Sequence, residues 1–384
     1  MHLCGMQYFR SLMIYIQWQD LLFIVFCVIT GVQLFYYLYF FMRLAFYKAP
    51  VRSVAQQHPV SVIICARDEA QNLADHLPDV LQQEYKSTYE VVAVNDNSYD
   101  DSKYVLEYLS KPFRHLRPID LKQEARLIQG KKFPLSMGIK EARYELLLLT
   151  DADCSPASPH WVERMQHAFA PGKEIALGYG AYTKEPGLLN KLIRFETFLT
   201  ALQYFSYALA GRPYMGVGRN LAYKKELFLR NKGFSMHNQL PGGDDDLFIN
   251  RVATRTNTAI VPDPEAFTYS KAKNSWSGWR QQKARHYSAS RYYKPLHKFL
   301  LSLYAASQFL FFPLLIASVM FYHVWIPLAV YGGRLLILGL VYFRSMKQLR
   351  EADLFWIYPL LDIWQWFYYI LFADTLVRKP KNTW

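Results

Sequence analysis

The chain has 384 residues, 52% hydrophobic and 17% aromatic, and carries 44 basic against 31 acidic side chains for a formal charge of +13. Its length allows a sizeable core, and its basic residues gather beside long apolar runs, where a chain meets lipid, so no nucleic-acid partner is expected. Cys4, Cys27, Cys65 and Cys154 show no paired spacing, and two of them fall in the part assigned below to the reducing cytoplasm, so neither a disulfide nor a zinc site is expected.

After a tail over 1–20, residues 21–47 are apolar with no charge before Arg43. Crossing a bilayer takes about 20 such residues. The run is too long for a signal-peptide core and lacks a small-residue cleavage site, so it predicts a transmembrane helix. From His58 the pattern alternates. Val60–Ala66 predicts a buried parallel strand, and Leu73, Leu77 and Leu81 a helix. Glu90–Asn95 predicts a second strand, and Val105, Leu106 and Leu109 a second helix. His115–Leu121 predicts a third strand, then a helical stretch ends near Ala142, and Glu145–Thr150 is the fourth strand. This succession predicts an α/β fold with a mainly parallel sheet, whose ligands sit beyond the carboxyl ends of the strands. Polar clusters stand at those ends: Arg67-Asp68-Glu69, Asn95-Asp96-Asn97-Ser98 and Asp151-Ala152-Asp153. For Asp68 or Asp100 taken singly, capping is the simpler role.

Farther along, Leu188, Leu192, Phe195, Leu199, Leu202 and Phe205 recur at helical spacing, with Lys191, Arg194 and Glu196 between them. This predicts an amphipathic helix over about 188–210, its apolar face either in the core or on the membrane. Residues 299–376 hold three apolar segments, about Phe299–Tyr322, Val324–Phe343 and Leu354–Phe372, the last interrupted by Pro359 and Asp362. Basic residues follow the first membrane helix (Arg43, Lys48, Arg52), precede residue 299 (Lys271 to Lys298) and lie between the last two segments (Arg344, Lys347, Arg350). The positive-inside rule then makes 48–298 a cytoplasmic domain in a multi-pass membrane protein. Three full C-terminal crossings would leave Arg378, Lys379 and Lys381 of the 377–384 tail outside, against that rule, so a re-entrant last segment stays open.

Asp151-Ala152-Asp153 follows an apolar strand, and in an extended segment both carboxylates point to one side. Such a pair suits a hard divalent cation, Mg²⁺ or Mn²⁺, whose remaining ligands are waters and phosphate oxygens. A cation so placed neutralises charge developing on a diphosphate leaving group.

In order along about 58–295, these motifs resemble the inverting glycosyltransferases of family two, with the GT-A fold, of the membrane-embedded bacterial type. VSVIICARDEAQNL is similar to the opening strand and uridine-site loop, implying donor contacts at Ala66, Asp68 and Glu69. AVNDNSYDDS resembles the Asp-Asp-Gly-Ser turn with Asn95 for the first Asp, implying that Asp96 contacts the base. GKKFPLSMGIKEARYELLLLTDADCSP resembles the basic loop, helix and strand before the metal motif, implying Lys131 or Lys132 near the phosphates and Asp151 and Asp153 on the metal. Pro241-Gly242-Gly243-Asp244-Asp245-Asp246-Leu247 is similar to Glu-Asp-x-Asp-Leu with Gly243 in the Glu position. A carboxylate there takes the acceptor's proton, with Asp244 favoured over Asp245, and one of the three carboxylates caps the following helix. Gln282-Lys283-Ala284-Arg285-His286 resembles Gln-x-x-Arg-Trp, implying Gln282 and Arg285 on the donor and His286 towards the acceptor. Gly218 and Asn220 fall in the family's acceptor segment.

The resemblance implies a metal-dependent hexosyltransferase of the cell envelope that moves a sugar from a UDP-sugar or another nucleotide-sugar donor to a lipid or glycan acceptor at the bilayer, in the inner membrane of a bacterial source. A processive polysaccharide synthase and a non-catalytic nucleotide-binding scaffold stay open beside it.

Overall fold

The computed structural model describes residues 17–49, 57–122, 130–240 and 242–373. Cys4, Arg52, Pro241, Arg378, Lys379 and Lys381 lie outside the described residues. Two layers of order are present: a sheet-based domain and a set of apolar helices that pack beneath it.

The domain opens as the alternation predicts. Strand β1 (Val60–Ala66) leads to helix α2 (Ala70–Leu81), β2 (Tyr89–Asp96) to α3 (Ser102–Ser110), and β3 (Leu116–Leu121) precedes α4 (Lys132–Glu141) and β4 (Leu146–Asp151); α1 is the membrane helix described below. Val62, Ile63 and Ile64 of β1 are all buried, as are Val91 to Val94 of β2 and Leu147 to Leu149 of β4, so both faces of the sheet are covered, which is why these strands read as continuous apolar runs. β1 pairs in parallel with β2 on one side and β4 on the other, Ala66 opposite Asn95 and Cys65 opposite Asp151. The register brings the polar strand ends to one edge.

Beyond β4 come β5 (Ser155–Pro156), α5 (Trp161–Gln166), β6 (Ile175–Leu177), β7 (Gly180–Tyr182), α6 (Leu188–Leu209), β8 (Leu221–Lys224), α7 (Lys225–Arg230), α8 (Asp246–Val252), β9 (Thr258–Ile260), β10 (Thr268–Ser270) and α9 (Trp276–Ser290). The main sheet has seven strands in the order β3-β2-β1-β4-β8-β6-β9, and β5-β10-β7 form a small second sheet. Only β8 runs antiparallel within the larger sheet, with Leu149 opposite Leu221. That insertion sets residues 217–220 directly beside the end of β4.

Among the described residues three helices are long and apolar enough to cross a membrane: α1 (Trp18–Ala45), α10 (Pro295–Phe321) and α11 (Trp325–Gln348). Within α1 a π-helical stretch, Tyr36–Phe41, turns Tyr36, Tyr37, Phe40 and Phe41 all inward, and Phe40 stacks on Tyr207 of α6 at 4.4 Å. The last apolar segment forms α12, Tyr358–Phe372, of 15 residues. At 1.5 Å per residue it is about 22 Å long, short of a hydrocarbon core of about 30 Å. Its Asp362 is fully buried, as the presence of an acid in an apolar segment requires. Arg334 of α11 donates through Nη1 and Nη2 to Asp362 at 2.6 and 2.8 Å, through Nη2 to the Tyr37 hydroxyl at 2.9 Å, and through Nε to Gln33 of α1. One guanidinium therefore ties three helices together.

The helix expected to be amphipathic is not. In α6, Arg194 and Glu196 are buried along with Leu192, Phe195, Leu202 and Phe205. Its charges are inside because each finds a partner: Arg194 Nε donates to Glu351 Oε2 at 3.0 Å and Nη2 to Asp353 at 2.8 Å, and Glu196 pairs with Lys283 of α9. The sequence pattern showed the charges but not the partners that bury them. Helix α6 thus fills the space between the sheet and the apolar helices.

Removing one member of a buried ion pair leaves a charge without compensation and costs about 3–5 kcal/mol. Asp362→Ala is accordingly expected to lower the thermal midpoint of the detergent-purified protein strongly, and adding Arg334→Met to recover most of the loss. A single variant as stable as the parent would remove the structural role of the pair.

Candidate functional site

The strand ends, the 216–220 segment and the loop before α8 enclose one cavity of about 920 Å³. It starts among Asp151, Asp153 and Lys131, passes Arg219, Asp244 and Arg285, and ends against Leu301 and Ala305 of α10 and Trp364, Tyr368 and Phe372 of α12. Charged groups line one end and aromatic groups the other.

Strand β4 ends at Asp151, and the chain turns there, with Cys154 N–H donating to Asp151 O at 3.2 Å. Asp153 reaches the cavity around that turn and not by extended alternation, yet both carboxylates face it. Enclosure pushes the Asp151 carboxyl up, but Lys131, donating to Oδ1 at 2.8 Å, outweighs it and holds the group below the usual carboxylate range. Asp153 goes the other way. Enclosure and the neighbouring Asp151 charge raise it, and its own hydrogen bond is a weak one from Cys154 Sγ at 3.4 Å.

The Gly-Gly-Asp-Asp-Asp segment divides its three carboxylates among three tasks. Asp245 caps α8, accepting from Asp246 N at 2.8 Å, and its other oxygen accepts from Gly218 N at 2.6 Å. Asp246 accepts from the Tyr293 hydroxyl at 2.7 Å and from Leu247 N at 2.8 Å; burial and the Asp245 charge push it up to about 8. Asp244 is left facing the cavity, its Oδ2 without a hydrogen bond and 3.3 Å from the Lys131 ammonium. Gly243 has φ +86°, and a Cβ there would come within 2.4 Å of Leu247, so the Glu usual at this position in the resemblance does not fit this backbone.

Of the residues expected from sequence, Glu69, Lys131, Asp151, Asp153, Gly218, Asp244, Asp245, Gln282, Arg285 and His286 line the cavity. Ala66, Asp68, Asp96, Lys132 and Asn220 do not, and each departure has a physical reason. Ala66 is buried within β1. Asp68, with φ +55°, accepts from Tyr99 N at 2.7 Å and so staples the loop after β1 to the loop after β2. Asp96 lies behind Arg67, 3.8 Å from its Nη1, and it is Arg67 that reaches the cavity. Lys132 is buried, donating to the carbonyls of Leu240 and Gly242, where it anchors the loop that carries Asp244. Asn220 is fully buried and spends its amide on Trp161 Nε1 and the carbonyls of Tyr179 and Ala266.

The neighbour of Asn220 takes the place expected of it. Arg219 lines the cavity, stacks over Tyr182 at 4.2 Å and donates to Ser270 Oγ at 2.9 Å. Neighbouring anions keep its guanidinium charged despite enclosure. The sequence points to Gly218 and Asn220, but only the strand register tells which side chain of this segment faces in. Gln282 Nε2 donates to the Tyr182 hydroxyl at 3.1 Å, fixing the amide at the rim. His286 faces the cavity; the protein around it and the Lys283 and Arg285 charges lower its imidazole below the ordinary value. Among the described residues no group of three or more His, Cys, Asp or Glu side chains is placed to hold a metal. Asp151 and Asp153 can supply two carboxylate ligands, and a Mg²⁺-like ion commonly takes one or two carboxylates and completes its shell with phosphate oxygens and water. The unrelieved charge that raises Asp153 fits such an ion.

Residues 61–230 match the family model "Glycosyl transferase family 2", and residues 146–343 match "Glycosyl transferase family group 2". The glycosyltransferase AglE of Haloferax volcanii is 36% identical over 106 residues, 27% of this chain and 33% of that protein. The poly-beta-1,6-N-acetyl-D-glucosamine synthase of Staphylococcus aureus is 26% identical over 206 residues, 53% of this chain and 44% of that one. The chain therefore spans less than half the length of these curated relatives. Among solved structures, the mannosyltransferase PcManGT from Pyrobaculum calidifontis, in complex with GDP-Man and Mn²⁺, aligns with a TM-score of 0.56 at 18% identity, over 90% of this chain and 99% of that one, a likeness of fold. With the GT-A arrangement of its sheet and a family match across more than half of its length, the chain belongs to glycosyltransferase family 2.

Proposed function

We propose that the protein is a membrane-bound, inverting hexosyltransferase that moves a sugar from a nucleoside-diphosphate donor to a lipid or short glycan acceptor at the membrane. The observation that carries this reading is the single cavity, charged at Asp151, Asp153 and Lys131 and lined at its far end by aromatic and aliphatic side chains of the apolar helices. A polar donor and an amphiphilic acceptor would each meet matching walls, with Asp244 between them. The uridine-loop likeness of residues 60–73 favours a UDP-sugar; the structural neighbour PcManGT binds GDP-Man. In this reading residues 48–298 form the cytoplasmic catalytic domain, and α1, α10 and α11 hold it to the bilayer.

Asp151 and Asp153 would hold Mg²⁺ or Mn²⁺, which when bound supplies positive charge against the departing diphosphate. The chain's own cations do related work. Lys131, Arg219 and Arg285 surround the same end of the cavity, and fixed charges aimed at a leaving group need no reorganisation as it departs. Gln282, held by Tyr182, orients the donor at the rim. Asp244 accepts the proton of the acceptor hydroxyl as that oxygen attacks the anomeric carbon from the face opposite the diphosphate, which inverts the configuration. Asp245 is committed to the α8 cap and Gly218, and Asp246 to Tyr293 and Leu247 N, buried where its negative charge is disfavoured. This leaves Asp244 as the free base.

A positioned general base contributes about 10²–10⁴-fold. Asp244→Asn is expected to lower sugar transfer to membrane lipid extracts at least about 100-fold while UDP or GDP binding stays near the parent's; full transfer by this variant with none by Asp245→Asn would move the base to Asp245. Asp246 gives a second measurement. Its folded-state value lies above the unfolded one, so the stability it contributes is full below the ordinary carboxyl range, declines as pH rises, and is gone above about 8. Asp246→Asn, which cannot ionise, is therefore expected to gain on the parent in thermal midpoint as pH rises from about 5 to about 8. Parallel pH profiles would show that Asp246 does not carry this proton.

A further inference from the structure

Lys131 precedes α4, and its ammonium lies 2.8 Å from Asp151 Oδ1 and 3.3 Å from Asp244 Oδ2. The chain is shaped around it. A Cβ at Gly218 would come within 3.1 Å of the Lys131 nitrogen and 3.2 Å of Asp245 Oδ2, so a glycine there lets the ammonium sit against the 216–220 segment. The side chain is 21% exposed. One monovalent cation thus spans the carboxylate assigned above to a divalent metal and the carboxylate assigned above to the acceptor's proton.

A divalent ion on Asp151 and an ammonium on the same carboxylate repel each other at close range, and the enclosed setting weakens the screening that water would give. The two cations compete. Phosphate oxygens change the balance, because they complete the metal's shell and also offer the ammonium a new anionic partner.

We propose that Lys131 is a positioning residue that occupies the cation position of Asp151 in the donor-free protein and gives it up only when a nucleoside diphosphate enters with the metal. Metal and diphosphate then bind with positive coupling, each raising the affinity of the other by the same factor. The same contact keeps Asp244 paired until the donor is seated, so the base is released for the acceptor only in the loaded site. The inference rests on the assignment of Asp151 and Asp153 to the metal in the proposed function.

The test is a Mn²⁺ titration of the full detergent-purified chain, followed by the electron paramagnetic resonance signal of free Mn²⁺, without nucleotide and with saturating UDP or GDP. The parent is expected to bind Mn²⁺ weakly alone and at least about tenfold more tightly with the nucleotide that fits, within the usual range of coupling between sites. Lys131→Met is expected to bind Mn²⁺ without nucleotide at least about tenfold more tightly than the parent, with the nucleotide effect reduced accordingly. Lys131→Arg keeps the charge and should behave as the parent. Adding Asp151→Asn to Lys131→Met should abolish the gain, which locates it at this site. Should Lys131→Met not fold, Lys131→Gln makes the same comparison. Neutral variants that bind Mn²⁺ no more tightly than the parent, or a gain that survives Asp151→Asn, would overturn the proposal. Because the readout needs no turnover, that failure is distinct from failure of the functional reading, in which the parent transfers no sugar from any donor.

Discussion

Like-charge repulsion governs this site. The parallel register of β1, β2 and β4 ends these strands at one edge, and the loop before α8 adds three more carboxylates to the space beyond it. Asp151, Asp153, Asp244, Asp245 and Asp246 share one partly enclosed cavity, and burial with mutual repulsion raises Asp153, Asp245 and Asp246. Every nearby feature acts to contain that charge. Lys131 bridges Asp151 and Asp244, Gly218 N–H is aimed at Asp245, and Tyr293 donates to Asp246. Arg219 is drawn in beside them. Asp153 stays raised even so, despite the Arg219 and Lys131 charges near it.

The second constraint joins this charged edge to the apolar helices. Helix α6 lies between the sheet and the apolar helices with Leu199, Thr200 and Gln203 on the cavity, and two buried charges fix it: Arg194 to Glu351 and Asp353 after α11, Glu196 to Lys283 in α9. Helix α9 in turn rests on α12 through Trp279, whose ring meets Phe372 at 5.0 Å, and through the Tyr287–Tyr368 hydroxyl contact. The far wall of the cavity is therefore part of the membrane-associated layer. The Arg334–Asp362 pair keeps α12 in register with α1 and α11, so the wall that α12 gives the cavity is tied to the other apolar helices.

Much of this was legible from sequence because it rests on local patterns. Apolar runs of strand length ending in acids mark β1, β2 and β4 within a residue or so, and long apolar stretches mark α1, α10 and α11. The rest depends on pairing between distant segments. Nothing local marks β8 as an antiparallel insertion beside β4, yet that pairing decides that Arg219 faces the cavity and Asn220 the core. Lys131 and Lys132 are adjacent at the start of one helix, and only the position of the Leu240 and Gly242 carbonyls assigns one to the site and the other to the scaffold. Arg194 and Glu196 read as a solvent face because their partners are far away in the chain.

Three departures from the family pattern bear on whether the site is competent, and each has a local cause that leaves the central carboxylates in place. Asn95 stands for an acid, but its amide donates to Asp120 at 2.7 Å across β2 and β3, a bond an Asp could not donate. Gly243 stands for Glu because of its positive φ and the Leu247 side chain against it, and the turn it permits is what presents Asp244 to the cavity. His286 stands for Trp on the cavity wall, beside Lys283 and Arg285, whose charges lower its imidazole. Asp244 keeps one oxygen without a hydrogen bond on the cavity wall, and the Lys131 ammonium 3.3 Å away offsets part of the cost of burying it there.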